Sequence, residues 1–400
     1  MGRWLAAPAL CAAACLAAPP ESLNGDGGSA IQDAGRADGG RVEPVDPGPV
    51  TIRSIGPTDS AITEGEATLL ADGWRLAVAP AVAAELVPGV MVDIGGDRVA
   101  VRAIGSAELL LEEPLPAGGS ATFWHAYASL ADWKDGRARD LVDEGVSEVA
   151  AVAADLSLPQ LFLINLFETA PDNRVIIRAA DGRGHRGVAG TGVTLTADPN
   201  ACLRAEIDHV TIEGLELRGC GTAAGHSAVK SLDAKDVLVD RVIIWDYRDG
   251  EPVSAASATE GGHLTLRNSI VHGGAVGVIT EGDSEVVVES CTFFDLDGSA
   301  VAIESGRVRN SILIQTGDTF AAPFQDHNVA DFALAGADFA TAADLFAAPT
   351  ASPPDLHLMS GASAALGSGE DLRPDFDRDV DGDPRGSIWD IGADQETPPR

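Results

Sequence analysis

Lys230 stands among Asp233, Asp236, Asp240 and Arg241, with His226 just ahead of it. A basic side chain beside carboxylates that can gather a cation is equipment for taking a proton from a carbon next to an acid group. The cation neutralises the acid and the base accepts the proton. Lys230, His226 and Arg241 are the catalytic candidates on this reading; the plainer reading makes Lys230 and Asp233 turn residues. A second constellation lies near the end of the sequence. Asp377, Asp379, Asp381 and Gly382 fit D-x-D-x-D-G, the start of a calcium loop built from oxygen ligands. Ile388 falls where the closing bidentate Glu belongs, so Asp383 or Asp390 would have to complete an irregular site. No G-x-S-x-G, H-E-x-x-H, P-loop or dinucleotide fingerprint occurs in a suitable context.

Composition narrows the classes. The 400 residues carry 27 basic and 61 acidic side chains, a net charge of −34, which disfavours a phosphate-backbone reader. Hydrophobic residues reach 45% with 5% aromatic, and Gly 45 and Pro 23 supply many turns, the balance of an aliphatic, turn-rich β protein.

The opening MGRWLAAPALCAAACLAAPPES has a positive start and a short apolar run followed by small residues, which reads as a signal peptide over 1–18. Cys15 after three alanines is similar to a lipobox, so peripheral membrane anchoring follows only if Cys15 is lipidated. Residues 19–49 lack apolar periodicity and read as a flexible linker. Alternation around Gly95-Gly96-Asp97 marks a hairpin in a small β domain over 50–124. Ser129 with Asp132 predicts the cap of a short helix through Trp133. Outside the leader remain Cys202, Cys220 and Cys291: either one disulfide, Cys202–Cys220, or three buried small hydrophobes.

The elements that must position these residues show in a repeat. VTIEGLELRG from Val210, VLVDRVIIWD from Val237, LTLRNSIVHG from Leu264 and VVVESCTFFD from Val286 superpose, and VRNSILIQ from Val308 fits with Asn310 beneath Asn268. Each copy is two short strands meeting at a polar bend: Gly214, Arg241, Asn268, Ser290 or Asn310. Period-2 alternation turns Val210, Ile212, Leu215 and Leu217 inward. One copy cannot bury that face alone, so copies stack. Outward positions then align Arg218, Trp245, His272 and Phe294 in one column, a carbohydrate-binding candidate in which ring faces would stack on sugar and Arg and His would donate. Glu213, Asp240, Arg267 and Glu289 align beside it.

This repeat resembles secreted bacterial right-handed parallel β-helix proteins of the pectate-lyase-like kind, over roughly 174–315. The closing D-x-D-G-x-x-R…D-I-G-A pattern (Asp379, Asp381, Gly382, Arg385, Asp390, Ile391, Gly392, Ala393) is similar to the last segment of exported β-helix proteins. YASLADW from Tyr127 looks like the first segment of phage-associated and surface members. The resemblance implies an all-β fold: a β-helix with an N-terminal capping helix over 125–319, and an irregular cap over 320–400 covering the last coil. It also implies a structural role for the closing Asp residues and Arg385. The R-x-P-x-x-R element of many pectate lyases, and the N-T-D, D-D and G-H-G elements of polygalacturonase-type hydrolases, are absent.

The expectation is therefore a secreted or surface-bound bacterial protein that binds a polysaccharide or cell-surface glycan without catalysis. A calcium-assisted polysaccharide lyase acting on acidic glycans is the alternative. A phage-derived adhesin or tail module, which predicts a trimer, is a third.

Overall fold

Enclosure follows the alternation. Val210, Ile212, Leu215 and Leu217 are buried in one copy, and Val237, Val239, Val242 and Ile244 in the next. The computed structural model describes residues 50–197, 202–220, 226–247, 253–317 and 320–396. The proposed leader and linker, 1–49, lie outside these. Strands stack in parallel with Val210 beside Val237, Val237 beside Leu264, Leu264 beside Val286 and Val286 beside Gly306. That is the register in which the repeat copies superpose. The paired strands form three parallel sheets. The first runs from Val50–Ile55 to Phe324–Asp326, the second from Phe162–Ile164 to Val301–Ala302, and the third from Leu156–Leu158 to Ala337–Phe339. The fold is a right-handed parallel β-helix around an aliphatic interior.

The bends between first- and third-sheet strands are left-handed. Gly214, Arg241, Asn268, Ser290 and Asn310 have φ of 67°, 52°, 46°, 50° and 52°. This conformation costs an ordinary side chain about 1–2 kcal/mol, and glycine or asparagine less, which explains the recurrence of Gly and Asn there.

Six strands, from Thr63–Leu69 to Gly119–Trp124, close into an antiparallel barrel around Leu76, Val92, Leu109 and Phe123. Val50–Ile55, grouped with this domain on sequence, instead pairs in parallel with Ser147–Val152 and forms the edge of the first sheet. Its partner lies nearly a hundred residues onward, where local pattern carries no information about pairing. Ser129 accepts the Asp132 N–H at 3.1 Å and opens helix Leu130–Arg137, as its spacing predicts. Trp133 on that helix is fully buried and donates to Glu148 at 3.2 Å. Arg137 grips the same enclosed carboxylate through two bonds of 2.9 Å, and Arg139 adds one of 2.9 Å.

The C-terminal segment is irregular and begins as the expected cap, with Phe320, Ala322, Phe332 and Leu334 packed against the interior of the coil, but it also extends further. After Ala337–Phe339 it leaves the end of the coil and runs back along the outer face of the third sheet. The cause is that face's own chemistry: Ile243, Ile270, Ile312 and Val329 point outward and are covered by Leu345, Phe346, Leu358, Val380 and Ile391. Arg385, buried, fixes the segment by donating to Asn268 Oδ1 at 3.1 Å and to the Gly392 and Ala393 carbonyls at 2.9 and 2.8 Å. Asn310 exchanges two bonds with the Glu370 backbone, 2.8 and 2.9 Å. Bend asparagines thus serve as docking points.

Cys202 and Cys220 are bonded, and Cys291 is a buried thiol that burial pushes up to about 12. Among the described residues, no helix is long and apolar enough to cross a membrane.

Candidate functional site

The third sheet carries the predicted row in register. Arg218 pairs with Trp245, Trp245 with His272 and His272 with Phe294. The row is not uniformly open, however. Arg218 has half of its side chain in solvent and ion-pairs with Asp246 at 3.0 Å. Trp245 is partly buried, while His272 and Phe294 are buried. Phe294 meets Phe346 of the returning segment edge to face at 5.9 Å.

Ring faces are not available either. The Arg218 guanidinium lies 4.6 Å from the Trp245 ring centre, and His272 stacks against it at 6.1 Å and 15°. Parallel strands about 4.8 Å apart bring flat side chains of one row face to face, so neighbours take the surfaces a sugar was expected to use. What the row presents outward is an edge. Its open end is Arg218, Asp246 and the rim of Trp245.

Glu216, a residue sequence reasoning passed over, holds Trp245 in place. It sits one outward position before Arg218 yet is fully buried. Its carboxylate accepts the Gly190, Thr191 and Gly192 N–H groups at 2.6, 3.0 and 2.7 Å and the Trp245 indole N–H at 3.2 Å. Burial pushes its carboxyl upward while these donors pull it down, and burial prevails. A Gly-x-Gly turn one coil ahead of an outward Glu was the available signal.

The proton-abstraction set is dispersed. Lys230 lies mid-strand in Ser227–Leu232 of the second sheet, facing out between Arg204 and Ser257, rather than in a turn. His226 immediately precedes that strand. Arg241 sits at the bend beyond the first sheet, bonded to Glu213. Asp236 is held by Arg174 at 2.5 Å and His209 at 2.9 Å, and Asp240 by Arg267 and Asn268, both at 3.1 Å. These acids are committed to pairs between coils, and the three catalytic candidates do not converge. Arg241 and Asp377 instead both line a recess of about 150 Å³ whose walls include Asp240, Arg267 and Phe376.

The Asp-rich tail is also rearranged. Asp377 goes to that recess. Asp379 closes a turn, accepting the Asp381 and Asp383 N–H groups at 3.1 and 2.8 Å and that of Gln395 at 3.2 Å. Only Asp381 joins a group able to hold an ion, with His357 and Asp394, their ligand atoms within 4.8 Å of one another. The D-x-D-x-D-G match fails because its turn spends Asp379 on backbone donors. The donor set fits a divalent ion: Asp381 Oδ1 is buried without a hydrogen-bond partner among the described residues, and Asp394 is buried. Gly187 makes the room, since a Cβ there would lie 2.4 Å from His357 Nε2 and 2.7 Å from Asp381 Oδ1. His357 bridges Asp355 at 2.6 Å and Asp381 at 2.9 Å. The Asp381 bond outweighs burial, which acts to lower the imidazole, and raises it to about 10; burial with the nearby Asp394 lifts Asp379 to about 7.

No family model and no curated protein matches the chain. Among solved structures, a pectin methylesterase from Aspergillus niger is similar at 10% identity and a TM-score of 0.27, over 54% of this chain and 84% of that one. An overlap this low transfers nothing to the present residues.

Proposed function

We propose that the protein is an exported β-helix scaffold of the cell surface or exterior that binds carbohydrate on its flank without catalysis. The observation that carries this reading is the open end of the row. Arg218 and Asp246 stand in solvent beside the rim of Trp245, which Glu216 holds rigidly. A guanidinium and a carboxylate on a fixed aromatic ridge can answer the neighbouring hydroxyls of a sugar as donor and acceptor. The bonded Cys202–Cys220 pair supports export, because such bonds persist in oxidising compartments.

The test is a glycan array with the wild type and an Arg218→Ala/Trp245→Ala double variant. Binding that falls at least tenfold in the variant supports the placement; binding that is unchanged, or no binding by the wild type, overturns it. The lyase alternative is checked by incubating the protein with alginate or pectate and calcium. Absorbance from unsaturated uronides would establish it.

A further inference from the structure

Where the barrel hands over to the coil, the chain from Trp124 to Asp132 borders a cleft of about 540 Å³ lined by Thr58, Arg98, Trp124, His125, Tyr127 and Asp132. This is within the range of small-ligand sites. We propose that this cleft is a second binding site, separate from the flank, for one or two neutral sugar units.

Three features argue for an occupant of that chemistry. First, Trp124 Nε1 and His125 Nδ1 are buried without hydrogen-bond partners among the described residues. Native proteins seldom leave such atoms unanswered. Two occur here on consecutive residues of one lining.

Second, the walls are preformed. Trp124 ends strand Gly119–Trp124 and is paired with Met91 of the barrel. The His125 ring lies over Gly56, where a Cβ would come 2.6 Å from its Cδ2, and Tyr127 lies over Gly136, where a Cβ would come 3.0 Å from its hydroxyl. Small residues at both points fix the two rings, so little side-chain ordering accompanies binding.

Third, the charges are few and already engaged. Arg98 is 3.6 Å from Asp93 and sits over Trp124 at 5.9 Å, and Asp132 accepts the Ser129 hydroxyl at 2.8 Å. Burial, reinforced by Arg183, lowers the His125 imidazole below its usual range and favours the neutral ring. A phosphate or a uronate would meet one shared cation. A neutral polyol meets two aromatic rings with donors and acceptors between them, the combination sugar sites use.

The test is saturation-transfer NMR on the full chain with the methyl glycosides of glucose, galactose and mannose and with cellobiose. Two variants accompany the wild type: Thr58→Trp, which fills the cleft from an exposed loop, and Trp124→Phe, which keeps a ring and deletes the indole N–H. Melting curves establish that both are folded. Transfer to at least one sugar, weakened fivefold or more in each variant, is the expected result. No transfer from any of these sugars, or wild-type affinity in either variant, overturns the proposal.

Discussion

Trp245 donates its indole N–H to Glu216, a carboxylate that three consecutive backbone N–H groups of the 190–192 turn also hold. One buried acid thus ties a turn of one coil to an aromatic side chain two strands along the sheet. Glu216→Ala leaves those donors unanswered and is expected to lower stability by about 2–4 kcal/mol. Urea unfolding read at the Trp emission checks this; a loss below about 1 kcal/mol would show the turn to be held by other contacts.

Phe294 was expected to face a ligand and faces Phe346 instead. Phe294→Ala should therefore behave as a core truncation, costing about 3–5 kcal/mol. Limited proteolysis should cut the 340–396 segment faster in this variant. A protein of unchanged stability with diminished glycan binding would return Phe294 to the binding row.

Glu148 is enclosed and gripped by Arg137 and Arg139. Glu148→Ala strands two guanidiniums against the first coil and should cost about 3–5 kcal/mol. Calorimetry should show the loss in the β-helix transition. A melting temperature equal to that of the wild type would show that the bonds of Arg137 and Arg139 to Glu148 do not hold the helix to the coil.

The pH dependence follows from His357. Folding raises its imidazole from 6.5 to about 10, chiefly through Asp381. The charged form is favoured in the folded state, so its contribution is complete below about pH 6.5 and is lost as pH rises through about 10. Asp379, lifted from 3.8 to about 7 by burial and Asp394, acts in the same sense: folding favours its protonated form, and stability falls as pH rises through that interval. For His357, whose side chain is partly exposed, the effect is on the order of 2 kcal/mol after solvent screening. Melting temperature should decline from pH 7 to 10, and His357→Gln should flatten that decline. A slope identical in the variant would place the titration elsewhere.

A divalent ion should bind at His357, Asp381 and Asp394 by displacing the imidazole proton, so affinity rises with pH. At a hundredfold excess over its dissociation constant, the ion would add about 2.7 kcal/mol. Melting scans with calcium and with zinc, in wild type and Asp394→Asn, check this. Equal shifts in both proteins, or none in either, would remove the site.

The coil was legible because its determinants are local. Inward Val and Ile, and bends filled by Gly214, Asn268 and Asn310, recur at a visible spacing, and stacking turns that spacing into register. The return of the C-terminal segment was hidden because Ile243, Ile270 and Ile312 read as ordinary strand residues. Only the third dimension shows them facing outward with nothing but a remote segment to cover them. The candidate sites suffered similarly. Lys230 and Arg241 are close in sequence yet stand on different faces, while His357 and Asp381 meet only through folding. Acidic spacing alone could not tell that Asp379 would be spent on backbone N–H groups.

The backward course of residues 340–396 also bears on biosynthesis. As the chain emerges from the ribosome, each coil can wind onto the one before it, but the apolar stripe through Ile243 and Ile270 stays bare until Val380 and Ile391 have been made. For that interval the nascent protein carries a sticky ridge, the kind of surface on which holding chaperones act and premature release leads to aggregation.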